Sequence, residues 1–194
     1  MRVFIAVLIL ILNLQSWTKA DDIRDFEIEG MSIGSSALEF LSESQLKNTA
    51  YLLGTDDKYL TSYFYDSDYV VYEAVEVSYL KNDKKYIIQG LSGGIIVENL
   101  RDCKKKNDEI IKGLKDFFSE AQSISDEGFT PVDITGKSKF FRTSFQINPS
   151  SKYFQIEASC IFYVGEAANE FISSAGITIK TDEMNDWLHN EAYK

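Results

Sequence analysis

The longest regular pattern of apolar residues lies in residues 100–121, where they recur every three or four positions. This spacing places them along one side of a helix, and Asn99 is a residue type that commonly caps a helix N-terminus. The stripe, which includes one asparagine, consists of Leu100, Cys103, Asn107, Ile110, Ile111, Leu114, Phe117, Phe118 and Ala121. We therefore predict a long amphipathic helix that begins after Asn99 and ends near Ser123.

Elsewhere apolar and polar residues alternate with a period of two, which predicts β-strands. Short polar turns separate several of these segments, and strands joined by short turns are antiparallel. The predicted strands cover residues 26–28, 59–65, 69–80, 85–97, 141–147, 153–163 and 176–180, and the predicted turns cover residues 66–68, 81–84 and 148–151.

Two capping pairs, Ser36 with Glu39 and Ser42 with Gln45, predict a helical segment that continues towards Leu52. A last helix is predicted near the end of the chain, at about residues 182–192. Because the strands come in hairpins and the helices lie between groups of strands, we predict an α+β fold. Its sheet is mostly antiparallel, with the long amphipathic helix packed on one face.

The start of the chain has the layout of a secretory signal peptide. Arg2 precedes an apolar run at residues 3–14, and the small residue Ala20 suits a signal peptidase. The apolar run is shorter than the roughly 20 residues of a membrane-spanning helix, and an anchor that stays uncleaved is the alternative. We predict that residues 1–20 are removed and that residues 21–194 form a single α+β domain, with no membrane insertion after cleavage.

The chain is acidic, with a formal net charge of −10. Loss of the signal peptide removes Arg2 and Lys19 but no acid, so the net charge becomes −12. Such a surface repels phosphate backbones and anionic membranes, and we expect no nucleic-acid partner. One basic cluster, Lys104-Lys105-Lys106, fits a solvated helix face, and docking of an acidic partner is the alternative for it.

The two cysteines of an exported chain suggest one disulfide. Cys103 lies on the apolar stripe of the predicted long helix, and Cys160 lies on the apolar side of a predicted strand. A helix packed on that strand would bring the two sulfur atoms together. Two separate buried thiols remain the alternative, because free cysteine is a common core residue.

The segment Gly30-Met31-Ser32-Ile33-Gly34 matches the G-x-S-x-G pattern of a nucleophile elbow, and His189 is the only histidine of the chain. An elbow follows a buried strand of a parallel sheet, whereas residues 26–29 alternate with acids. We interpret the two glycines as the entry to a capped helix. A small secreted serine hydrolase that uses Ser32 and His189 is the alternative function.

Three other patterns are weaker. Thr135-Gly136-Lys137-Ser138 ends like a phosphate-binding loop, but Pro131 stands where such a loop has its first glycine. Asp56-Asp57 and Asp66-Ser67-Asp68 lack the ligand spacing of an EF-hand, and one histidine cannot build a histidine metal site. We predict turns at these positions and no metal or cofactor.

A run of aromatic residues extends from residue 59 to residue 72. Tyrosine is a favourable strand residue, so we interpret the run as part of the sheet or core, with a sugar-stacking or protein-binding surface as the alternative. The run consists of Tyr59, Tyr63, Phe64, Tyr65, Tyr69 and Tyr72.

The segment QSWTKADDIRDFEIEGMSIGSSALEFL, residues 15–41, resembles short exported proteins of marine alphaproteobacteria of the Pelagibacter type. The resemblance extends to Cys103, Cys160 and the Asn-Asp-Trp-Leu motif at residues 185–188. The chain differs from these proteins at Ser35, where they often have an acidic residue. The group has no assigned function, so the resemblance implies a periplasmic or secreted location and transfers no catalytic residue.

Taken together, the export signal, the acidic surface and the tyrosine-rich strands favour a non-enzymatic domain of the cell envelope. We expect this domain to bind a protein or a small ligand, of unknown identity, on the exposed side of its sheet. A purely structural envelope component that associates with itself is a third hypothesis.

Overall fold

The computed structural model describes residues 22–65 and 69–194. The predicted signal peptide and the predicted turn at residues 66–68 lie outside the described residues. The strands are β1 Glu27–Ile28, β2 Met31–Ser32, β3 Ala50–Leu53, β4 Tyr59–Tyr65, β5 Ala74–Leu80, β6 Ile88–Ile96, β7 Gln122–Phe129, β8 Lys139–Gln146, β9 Ile156–Phe162 and β10 Ser174–Lys180. The helices are α1 Glu43–Asn48, α2 Leu100–Phe117, α3 Ala167–Glu170 and α4 Asp182–Asn190, with 3-10 turns at Ile23–Asp25 and Ala37–Glu39.

Eight strands form one antiparallel sheet in the order β3-β4-β5-β6-β10-β9-β8-β7. It consists of two four-stranded meanders, β3 to β6 and β7 to β10, that meet along their last strands. At this junction β10 runs antiparallel to β6, with Ser174 opposite Ile96 and Lys180 opposite Gly90. The predicted α+β fold with a mostly antiparallel sheet is therefore confirmed.

Helix α2 packs on β9 and β10, on the side of the sheet that we call the helix face. Leu114 of this helix belongs to a core that includes Ile156 and Ile177 of the strands beneath it. Cys103 and Cys160 form a disulfide between helix and strand, as predicted. In the chain-entropy model, closing a loop of 57 residues stabilises the fold by about 4 kcal/mol.

The segment before the sheet covers the helix face of the first meander. Its buried side chains Ile28, Met31 and Leu46 belong to the same core as Val77 and Leu91 of β5 and β6. Helix α1 begins at the predicted capping box of Ser42 and Gln45, which is confirmed. The two layers on this face thus come from different parts of the chain and join into one core.

Helix α4 packs on the opposite side of the sheet, which we call the open face. Tyr59 of β4 and Trp187 of α4 are both buried, with ring centroids 4.7 Å apart. Gly90 makes room for Met184, because a Cβ atom at residue 90 would lie 2.7 Å from the Met184 sulfur. Since α4 reaches one end only, most of the open face has no helix over it.

Some predicted boundaries were wrong for identifiable reasons. Helix α2 ends at Phe117 instead of near Ser123, and β7 follows it in a region where no strand was predicted. Strand β5 begins at Ala74 instead of residue 69, because the Glu29 carboxylate accepts hydrogen bonds from three consecutive backbone N–H groups, at residues 70–72. Residues 50–53 form strand β3, although the capping pairs predicted a helix there.

Candidate functional site

The middle of the open face consists of small and polar side chains, which we call the glycine trough. The strand register places Gly94 opposite Gly176 and Ser92 opposite Thr178 across the junction of the two meanders. The trough is a cleft of about 320 Å³, and the hydroxyl groups of Ser92 and Thr178 lie 3.0 Å apart within it. Its floor consists of Ser92, Gly94, Ser159, Gly176 and Thr178, and larger side chains at its sides include Tyr65, Glu76, Ile96, Ile161 and Ile172.

Tyrosines border the trough on the side of the first meander. Tyr63 and Tyr65 are 45% and 58% exposed, and their ring centroids lie 6.0 Å apart. The Tyr51 hydroxyl donates a hydrogen bond of 3.4 Å to the Glu76 carboxylate. Burial, together with the neighbouring Glu76, raises the pKa of Tyr51 to about 12, and burial also raises the pKa of Glu76. A hydrophobic and hydrogen-bonding edge therefore faces the trough.

The predicted aromatic run is divided between two environments. Tyr59 and Tyr72 are buried in the core, as the first interpretation expected. Tyr63 and Tyr65 lie in β4 and are exposed on the open face, so they are sheet residues, as the same interpretation allowed, and the binding-surface alternative stays a prediction.

A second cleft lies between the second meander and α4, and we call it the Lys180 pocket. It has a volume of about 420 Å³ and is lined mainly by Arg142, Tyr153, Phe154, Glu157, Lys180 and His189. The side of the pocket away from α4 is formed by neighbouring strands, where Asp126 of β7 lies opposite Arg142 of β8. The pocket and the trough are adjacent on the open face, where Thr178 and Lys180 of β10 line one cleft each.

Arg142 holds both acids of the Lys180 pocket. Its guanidinium donates to the two Asp126 oxygens at 2.9 and 2.6 Å, and lies 3.6 Å from a Glu157 oxygen. The hydrogen bond from Arg142 lowers the pKa of Asp126. Burial lowers the pKa of Lys180, although Glu157 partly opposes this effect. Within residues 22–65 and 69–194, no hydrogen bond or ion pair engages the Lys180 ammonium group.

His189 closes the pocket from the helix side. Its ring stacks on Tyr153 with centroids 4.4 Å apart, and its Nδ1 lies 2.8 Å from the Asn185 carbonyl oxygen. A carbonyl oxygen only accepts hydrogen bonds, so Nδ1 carries the proton and Nε2 of the neutral ring is an acceptor.

Ser32, the other residue of the hydrolase hypothesis, lies in β2 and pairs with Glu27 of β1. The flanking Gly30 and Gly34 have φ angles of +80° and +87° and form turns. Among the described residues, no hydrogen bond joins the Ser32 hydroxyl to His189. The geometry thus gives Ser32 no general base at that residue.

The phosphate-loop-like motif is a turn organised by Asp133. The carboxylate of Asp133 accepts hydrogen bonds from the backbone N–H groups of Thr135, Lys137 and Ser138. Hydrogen bonding by the Ser138 and Thr135 side chains, together with the backbone N–H groups of the same two residues, lowers the pKa of Asp133 well below its usual range. The protein's own carboxylate occupies the donors that a phosphate would need.

The residues of the other charged motifs make contacts with neighbouring side chains. Asp56 accepts a hydrogen bond of 2.8 Å from the indole of Trp187, and Asp57 pairs with Lys81 at 2.6 Å. The ammonium group of Lys104 lies 4.3 Å from the ring centroid of Phe141. The part of the chain that the structure describes contains no group of three or more metal-ligating side chains. Residues 66–68, the second predicted acidic turn, are outside it.

The described helices are each too short or too polar to cross a membrane. Comparisons with known family models, curated proteins and solved structures found no match. The site must therefore be interpreted from its own chemistry.

Proposed function

We propose that the chain is exported to the periplasm or the exterior, and that its domain is a non-enzymatic binding module with its ligand on the open face. The glycine trough carries this proposal. Side chains no larger than threonine cover the centre of an eight-stranded sheet, so a ligand can approach the strands closely between the tyrosines and the Lys180 pocket. The helix face has no equivalent space above β10, because α2 covers it.

Two further observations support export. The Cys103–Cys160 disulfide fits an oxidising compartment, and the first 20 residues have the pattern of a signal peptide. The Ser32–His189 pair does not support catalysis. The two residues lie in β2 and α4, and no hydrogen bond of the described residues joins them. A binding module requires neither residue as a nucleophile or base.

The test blocks the trough without disturbing the fold. A Cβ atom built at Gly94 meets no atom within 4 Å, so Gly94→Trp fills the trough with little strain. Gly113 of α2 has equally open surroundings, and Gly113→Trp is the matched control on the helix face. Each protein is incubated with the small-molecule extract of an exporting host and then examined by native mass spectrometry.

We expect a reproducible adduct on the parent protein and on Gly113→Trp, and its loss from Gly94→Trp. Thermal unfolding of both variants confirms that they remain folded. An adduct that persists on Gly94→Trp would contradict the glycine trough as the binding site. Turnover of an ester that disappears in Ser32→Ala would contradict the non-enzymatic assignment and favour the hydrolase.

A further inference from the structure

The Lys180 ammonium group occupies an unusual position for a charge. Lys180 ends β10, where it follows the fully buried Ile179 and projects to the other side of the strand. Helix α4 begins two residues later, and its residues Asn185 and His189 line one side of the Lys180 pocket. A desolvated ammonium group without an ion pair costs free energy, and a bound anion would remove that cost.

The balance of charge also favours an anion here. Four clefts of the described residues can be compared by the formal charges that line them. Around the Lys180 pocket there are three cations, Lys152, Arg142 and Lys180, against the two acids Asp126 and Glu157. Acids outnumber cations in the trough and in the cleft beside Asp22, and the cleft beside α2 has equal numbers. In a chain of net charge −10, this local excess of cations is specific to one pocket of the four.

The acids of the pocket offset the charge of Lys180 only in part. Asp126 and Glu157 both pair with Arg142, and Glu157 opposes the lowering of the Lys180 pKa without forming an ion pair with its ammonium group among the described residues. Lys152 lies on the rim of the pocket, and its Nζ atom is 3.7 Å from an Asp186 carboxylate oxygen. The ammonium group of Lys180 is therefore the cation that a ligand can engage.

The rest of the lining suits an apolar body. Ile124 and Phe154 expose apolar surface in the pocket, and the stacked rings of Tyr153 and His189 form one wall. A volume of about 420 Å³ lies within the range of small-molecule sites.

We propose that the Lys180 pocket binds a small organic carboxylate whose anionic group contacts the Lys180 ammonium and whose apolar or aromatic body packs against Phe154 and the Tyr153–His189 wall. This inference rests on the proposed function, because the pocket lies on the same open face. It adds the chemical class of the ligand and the residue that selects it.

The test uses benzoate as the probe and benzamide as its neutral analogue. Titration of the full mature protein at neutral pH is followed by two-dimensional NMR. We expect benzoate to bind with a Kd of about 1 mM or tighter, and benzamide to bind at least about tenfold more weakly. Resonances of residues in β8 to β10 should shift on the open face.

Two lysine substitutions distinguish a specific contact with the Lys180 ammonium group from a general effect of positive charge on benzoate binding. Lys180→Met should weaken benzoate binding at least about tenfold, whereas Lys152→Met, which removes the same charge from the exposed rim, should change it less than about twofold. A second readout is the pKa of Lys180 followed by NMR of its side-chain carbon. Saturating benzoate should raise that pKa, because the anion favours the charged form.

Absence of benzoate binding, equal affinity for benzamide, or full affinity in Lys180→Met would each overturn the inference. These failures are distinguishable from failure of the proposed function. If an extract ligand still binds the parent protein and is lost in Gly94→Trp, the open face remains the binding surface and only the carboxylate assignment falls.

Discussion

The two faces of β10 show how one strand serves two purposes. On the helix face, Ala175, Ile177 and Ile179 are buried against the core beneath α2. On the open face, the intervening residues are small or polar and line the trough and the Lys180 pocket. The helix face gains stability from apolar burial. The open face instead has a cleft with a floor of small side chains and the Lys180 ammonium group, which no hydrogen bond or ion pair of the described residues engages. Under the proposed function, stability and recognition are assigned to opposite sides of the same sheet.

The largest expected effect comes from truncating the helix face. Ile177→Ala should lower the free energy of unfolding by about 3 kcal/mol, because it leaves a cavity in a closely packed core. Ser159→Ala on the open face should change it by less than about 0.5 kcal/mol. Urea unfolding of both variants measures the contrast, and similar losses would mean that the two faces are equally packed.

A smaller effect of opposite sign is expected at Lys180. Lys180→Met should raise the free energy of unfolding by about 1 kcal/mol at neutral pH, because it removes a desolvated ammonium group that has no ion pair. Burial lowers the pKa of Lys180 in the folded state, so the parent protein carries the full penalty below that folded pKa.

The sign of the pH dependence provides the check. As pH rises from the folded pKa towards the unfolded value of 10.5, the penalty fades, and the advantage of Lys180→Met should disappear with it. Urea unfolding at a series of pH values measures the difference between the two proteins. A destabilised Lys180→Met at neutral pH would show that the ammonium group has a stabilising partner.

The smallest predicted effect concerns Glu76, the acid beside the trough. Burial raises the folded pKa of Glu76 above the ordinary 4.5, so its charged form opposes folding once pH exceeds the unfolded value. Glu76→Gln should therefore have no advantage below pH 4.5 and should stabilise the protein by less than about 1 kcal/mol at neutral pH. Thermal unfolding at acidic and neutral pH tests this, and a larger advantage at acidic pH would contradict it.

The sequence was informative where each pattern was local. The period of the apolar residues predicted α2, and the sides of helix and strand on which Cys103 and Cys160 lie predicted their disulfide, both of which are confirmed. Strand β7 was missed because it is an exposed edge strand, whose residues need no apolar alternation.

The Lys180 pocket could not be predicted because it depends on strand order. Arg142 and Lys180 are 38 positions apart and lie on strands β8 and β10, with Glu157 of β9 between them. In the sequence, Lys180 is only the last residue of the predicted strand at residues 176–180. Which residues stand beside it follows only from the pairing of β10 with β9 and of β9 with β8.

The central claim, that the open face is the binding surface, is tested most directly by chemical-shift mapping with the host-extract fraction that yields an adduct. We predict that the largest amide shifts occur at Gly94, Gly176, Thr178 and Lys180, with little change along α2. Shifts concentrated at Lys104-Lys105-Lys106 and the rest of α2, with an unperturbed β10, would contradict the account and place recognition on the helix face.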